Sequence, residues 1–77
     1  MTTLINNDTI EHAHASSTIK KSMYNHISKE LTLEFTNSSI YIYENVDAQT
    51  FSDFIQSSSS GKYFASHIKN NFNYRKI

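Results

Sequence analysis

Apolar and polar residues alternate through the middle of the chain. In Leu31-Thr32-Leu33-Glu34-Phe35 a period of two puts Leu31, Leu33 and Phe35 on one face of a strand, with Thr32 and Glu34 on the other. Thr36-Asn37-Ser38-Ser39 follows, a cluster whose side chains bond nearby backbone groups and favour turns. Ile40-Tyr41-Ile42-Tyr43, β-branched or aromatic throughout, is the second strand of a hairpin. An even loop pairs Phe35 with Ile40 and Leu33 with Ile42, which leaves one face wholly aliphatic and puts Tyr41 and Tyr43 on the other with Glu34 and Thr32. An odd loop inverts every side chain and buries the tyrosines. The even register is preferred here because it gathers the aliphatics on one side.

Upstream, residues 16–25 (SSTIKKSMYN) suggest a first strand through Ile19, Met23 and Tyr24, with a bulge at Lys20-Lys21 where the alternation slips. Residues 26–30 connect it to the hairpin. Residues 1–15 show no clear period and are read as an N-terminal arm, ordered only where something docks it; residues 16–77 form the domain. Downstream, Asp47 is placed to cap a helix, with Val46 packing against Phe51 and an apolar stripe of Ala48, Phe51, Phe54 and Ile55. Ser57-Ser58-Ser59-Ser60-Gly61 stops that helix, Gly61 being free to take positive φ. Phe64, Ile68 and Phe72 then mark a second helix over residues 62–73. The pattern predicts an α+β fold: a three-stranded antiparallel meander with two C-terminal helices packed on one face.

Composition narrows the classes. A chain of 77 residues holds one domain with a modest core, a size at which self-association into a homo-oligomer is a natural aid. It has no cysteine, which excludes disulfides and thiolate zinc sites and suits a cytoplasmic setting. No run approaches the roughly 18 apolar residues of a membrane span, and the first residues lack the charged start and apolar stretch of an export signal. The formal net charge is +0, yet the last seventeen residues carry Lys62, Lys69, Arg75 and Lys76 with no acid. Such a segment is either a solvated face with a charged tail or a surface that meets phosphate.

Two places could carry chemistry. At the mouth of the second helix, Ser59, Ser60, Gly61 and Lys62 could converge on an anion, helped by the helix dipole; the competing reading is a turn in which a serine merely caps. The spacing is not that of a nucleotide-hydrolysing phosphate loop. Tyr41 and Tyr43, with Tyr24 on the neighbouring strand, could offer flat surfaces for bases, or be ordinary strand tyrosines covered by the arm or a second copy. His12 and His14 point the same way from a strand but complete only half a metal site, so no metal is expected. His26 and His67 have no nucleophile and orienting acid beside them, and no catalytic residue or cofactor is implied.

Taken in order, Ser16-Ser17-Thr18-Ile19, Tyr24-Asn25, residues 31–35, Tyr41-Ile42-Tyr43, Val46-Asp47, Ser59-Ser60-Gly61-Lys62-Tyr63-Phe64 and Ile68-Lys69 resemble the KTSC domain family, small domains named for a C-terminal extension of certain lysyl-tRNA synthetases. The Ser-x-Gly-x-Tyr-Phe stretch is the strongest segment. Met23 replaces a glycine, Ser38-Ser39 a turn glycine, Asp47 a proline, and Ala65 an asparagine of the family pattern. The resemblance implies a compact α+β fold, found alone in short phage and bacterial proteins or appended to larger ones, with a nucleic-acid role and no catalytic activity.

The leading expectation is a small non-enzymatic binding module for a phosphate-bearing ligand, RNA, DNA or a nucleotide, using Tyr24, Tyr41, Tyr43, Ser59, Ser60, Gly61, Lys62, Lys69 and Arg75. The alternative is a phage-encoded inhibitor that binds a host defence or nucleic-acid enzyme through the exposed, tyrosine-bearing sheet face or a sheet edge, or a cyclic-nucleotide sponge.

Overall fold

The structure is a computed structural model, and it describes residues 3–5, 9–14 and 17–77, the first of these as backbone only. Among the described residues six strands form one antiparallel sheet in chain order: β1 (Thr3–Ile5), β2 (Thr9–Ala13), β3 (Ile19–Asn25), β4 (Glu30–Phe35), β5 (Ile40–Tyr43) and β6 (Tyr74–Lys76). Between β5 and β6 lie α1 (Ala48–Gln56), the single turn α2 (Ser60–Tyr63), and a π-helix over Phe64–Ile68 that continues it. The expected meander is thus the centre of a wider sheet. At one end, residues expected in an arm pair with β3 through Ile10↔Tyr24 and His12↔Ser22. At the other, what reads as a basic tail is a strand paired with β5.

The β4–β5 loop is odd, which corrects the even register. Leu31 faces Tyr43 and Leu33 faces Tyr41, while Thr32 and Glu34 face Ile42 and Ile40. Residues 36–38 make the turn: Phe35 N–H donates to the Ser39 carbonyl, and Ser38 takes φ 73°. That is a three-residue loop closed by a left-handed residue, a conformation asparagine, glycine or a tolerant serine supplies. Consequently the tyrosines face the helices and the isoleucines face away. The bulge expected in β3 is present, between Ile19 and Lys21.

Among the described residues the core runs from Ile19, Tyr24, Leu31, Leu33 and Tyr43 on the sheet, through Val46, to Phe51, Phe54, Phe64 and Ile68 on the helices, with Phe72 half-buried against it. Tyr24 is 1% exposed, stacks on Phe51 at 4.7 Å between ring centroids, and donates its hydroxyl to the Val46 carbonyl. It is therefore core, not a binding surface. Tyr24→Phe keeps the ring but strands a buried carbonyl, and should cost about 1–2 kcal/mol of stability, read as a lower urea midpoint.

Helix α1 starts as the sequence predicts: Thr50 N–H donates to the Asp47 carboxylate at 3.3 Å, and the Thr50 hydroxyl donates to it as well, holding the acid below the usual carboxylate range. Ala48, expected in the buried stripe, is exposed. Gly61 lies inside α2 with no positive φ, so the helix break rests on the serines: Ser57 Oγ accepts from Ser59 N–H at 3.1 Å, and Ser59 Oγ accepts from Lys62 N–H at 3.4 Å. The second helix ends at Ile68, short of the predicted 73, which frees the chain to return as β6.

One polar network crosses the core. His14 places Nδ1 2.7 Å from Ser60 Oγ and Nε2 2.8 Å from Ser22 Oγ, tying the sheet to the start of α2. All three side chains are buried. Burial, and secondarily neighbouring His12, lower the His14 pKa to about 4, so the imidazole is neutral at pH 7 and one ring nitrogen donates while the other accepts. The rings of His12 and His14 sit 4.8 Å apart, but both His14 nitrogens are engaged by serines and neither is presented to a metal.

Candidate functional site

Because the odd register turns Tyr41 and Tyr43 inward and β6 adds Tyr74 beside them, aromatic side chains collect at the β5–β6 end of the inner face. Phe35 lies edge-on to Tyr41 at 5.5 Å, Tyr41 meets Tyr74 at 5.7 Å, Tyr74 meets Tyr43 at 5.4 Å, Tyr43 meets Phe64 at 5.5 Å, and Phe64 returns to Phe35 at 5.4 Å. The contacts close a circuit of five rings. All five line a cavity of about 580 Å³, within the range of about 300–1,000 Å³ typical of small-molecule sites.

The rim is polar. The β4–β5 turn contributes Thr36, Asn37 and Ser39, the approach to β3 contributes Ser17 and Thr18, and the end of the π-helix contributes Lys69 and Asn70. Asn37 Oδ1 already accepts from Ser39 N–H at 3.0 Å, leaving its amide N–H₂ to donate. The π-helix matters to this arrangement, since Lys69 N–H reaches back five residues to the Phe64 carbonyl at 2.9 Å and so leaves the helix directly at the cleft mouth. Lys76 Nζ lies 5.9 Å from the Tyr41 ring centroid. Burial, then the neighbouring Tyr74 and Tyr41, push the Tyr43 phenol up to about 12, so it remains a protonated donor.

The residues singled out from sequence divide accordingly. Tyr41, Tyr43 and Lys69 come together in the cleft. The serine cradle does not form: Ser59 caps α2, Ser60 is held by His14, and neither Gly61 nor Lys62 lines the cavity. Arg75, in register with Ile42, lies on the opposite face of the sheet, with Nη1 2.9 Å from Glu44 and Nη2 3.2 Å from Glu30. Its charge is answered by carboxylates. Phe35 and Phe64 read from sequence as core, Asn37 as turn, Asn70 as part of the second helix and Lys76 as part of the basic segment, while Tyr74 carried no signal that separated it from the tail.

Chemically, a bowl of aromatic edges can hold a flat ring or a quaternary ammonium. The charges decide between them. Among the described residues no Asp or Glu lines the cavity, and Lys69 stands in its wall with Lys76 beside Tyr41. A cation would meet like charge there, whereas a planar group carrying an anion would not.

A six-stranded antiparallel sheet with helices on one face places the chain among small α+β domains. The KTSC domain model matches residues 15–72. The chain belongs to the KTSC domain family. Among solved structures it is similar to a KTSC domain protein from Yersinia pestis, at 28% identity and a TM-score of 0.85, over 90% of this chain and 97% of that one. No curated protein matches it. Among the described residues, no helix is long and apolar enough to cross a membrane.

Proposed function

We propose that the protein is a non-enzymatic binding module whose aromatic cleft takes a phosphate-bearing ligand of nucleic-acid chemistry, the base seated against Phe35, Tyr41, Tyr43, Phe64 and Tyr74 and the phosphate drawn to Lys69 and Lys76. The observation that supports this reading is the union of five aromatic rings and the Lys69 ammonium in the wall of one cavity, with Lys76 beside Tyr41 and, among the described residues, no carboxylate in that wall. Stacking against an aromatic side chain contributes about 1–3 kcal/mol per base, enough to give measurable affinity when joined to charge. Neither element needs a reaction.

The test is calorimetric titration of mononucleotides and short single strands at low ionic strength. Binding is expected, and Lys69→Gln with Lys76→Gln should weaken it about tenfold while leaving the thermal midpoint unchanged, since both side chains are exposed. Failure of every nucleotide and strand to bind would overturn the proposal. The tyrosine face expected to meet a protein partner is not an exposed surface, because Tyr43 is 3% exposed and Tyr41 half-buried under the helices.

A further inference from the structure

Resting on that reading, the placement of positive charge decides what size of ligand the cleft accepts. Lysine and arginine number 7 in the chain. Lys20 is bridged to Glu34, Lys21 to Glu11 and Glu34, and Arg75 to Glu30 and Glu44, the strand pairing setting these carboxylates on the side of the sheet away from the helices. Lys29 sits in the β3–β4 turn at φ 60° and Lys62 on α2, neither of them in the cavity wall. Only Lys69 and Lys76 remain to serve the cleft.

A polynucleotide is held by a track of cations that follows its backbone. Among the described residues no track of cations lines the way out of the cavity: the β4–β5 turn bounds one side with neutral Thr36, Asn37 and Ser39, and Lys20, Lys21 and Arg75 on the far face of the sheet are held in ion pairs. Two ammonium groups do match a terminal phosphate, which carries about −1.5 to −2 at pH 7. We infer that the cleft binds a free nucleotide through one base and its terminal phosphate, and does not bind a nucleic-acid strand along its length.

Titration of the full chain with AMP, GMP, CMP and UMP, adenosine, inorganic phosphate and a long oligo-dA strand tests this. At least one mononucleotide should bind with a stoichiometry of one, its nucleoside and inorganic phosphate each about tenfold or more weaker, because each keeps only half of the recognition. The strand should bind no tighter than the mononucleotide. Salt should act on the mononucleotide only by screening, with no steep log–log dependence, since a single nucleotide carries no condensed counterion layer. A strand that binds about tenfold tighter, with a log–log salt slope beyond about −2, would engage more phosphates than two lysines can neutralise and would overturn the inference while leaving the broader binding role standing. Absence of binding by every probe would overturn both.

Discussion

Replacing His14 by alanine should lower the unfolding free energy at pH 7 by about 2–4 kcal/mol, measured by urea titration, because it strands two buried hydroxyls at once. Ser22 is 0% and Ser60 8% exposed, so each loses its imidazole partner inside the core. Replacing all three, His14→Leu with Ser22→Ala and Ser60→Ala, removes the unmet donors and acceptors together and should recover much of the loss. The network also sets the acid response. The His14 pKa is about 4 in the folded protein against an ordinary 6.5, so as pH falls from 6.5 to 4 the unfolded chain takes up a proton that the folded one refuses. Stability contributed by the neutral ring is therefore present above pH 6.5 and lost through that window, on the order of 3 kcal/mol in all. His12, lowered in the same direction by burial, adds to the slope. In the His14→Ala protein most of that slope should vanish; a wild-type stability flat from pH 7 to 4 would sink the account.

Phe64→Ala should be the most damaging change near the cleft, at about 3–5 kcal/mol, comparable to the whole stability of a chain this small. The ring is 8% exposed and belongs at once to the core and to the cavity wall, where it touches Phe35 and Tyr43. Its loss opens a void that the stiff sheet on one side and the π-helix on the other cannot close. Thermal unfolding should show a large fall in midpoint, or no transition if the variant is already unfolded at 25 °C. Phe64→Leu is the companion: it should lose only about 1–2 kcal/mol and remain folded, so that any loss of nucleotide affinity reports the broken aromatic circuit and not a missing domain.

Much of this architecture can be read from the chain because its signals are local. Asp47 before Thr50, the serine run after Gln56, and the period-two stretch at 31–35 each act within a few residues, and each stands where the pattern puts it. Register parity is harder. Both candidate faces of β5 are apolar, isoleucine or tyrosine, and the choice rests on whether Ser38 takes positive φ, which no hydrophobic pattern reports. Strand β2 is hidden for another reason: His12 and His14 look polar, yet His14 is buried because serines from β3 and α2 reach both its nitrogens. Lys76 and Tyr74 read as tail because their strand is three residues long and its partner residues lie 31–35 positions upstream. The tyrosines and Lys69 could thus be named as candidates, but the cavity that joins them depends on a pairing visible only in three dimensions.

That distant pairing also fixes an order of events. Strands β2 to β5 each join the strand before them after only a few intervening residues, whereas β6 joins β5 only after the chain has come back across both helices to bring Tyr74 to Tyr41 and Tyr43. Closing so long an excursion is a late step, since non-local contacts give nothing back until the intervening chain is already ordered. The aromatic cleft is then expected to form late in folding and to be lost early on unfolding. A bound nucleotide should leave the refolding rate unchanged and act entirely by delaying the departure of the C-terminal strand.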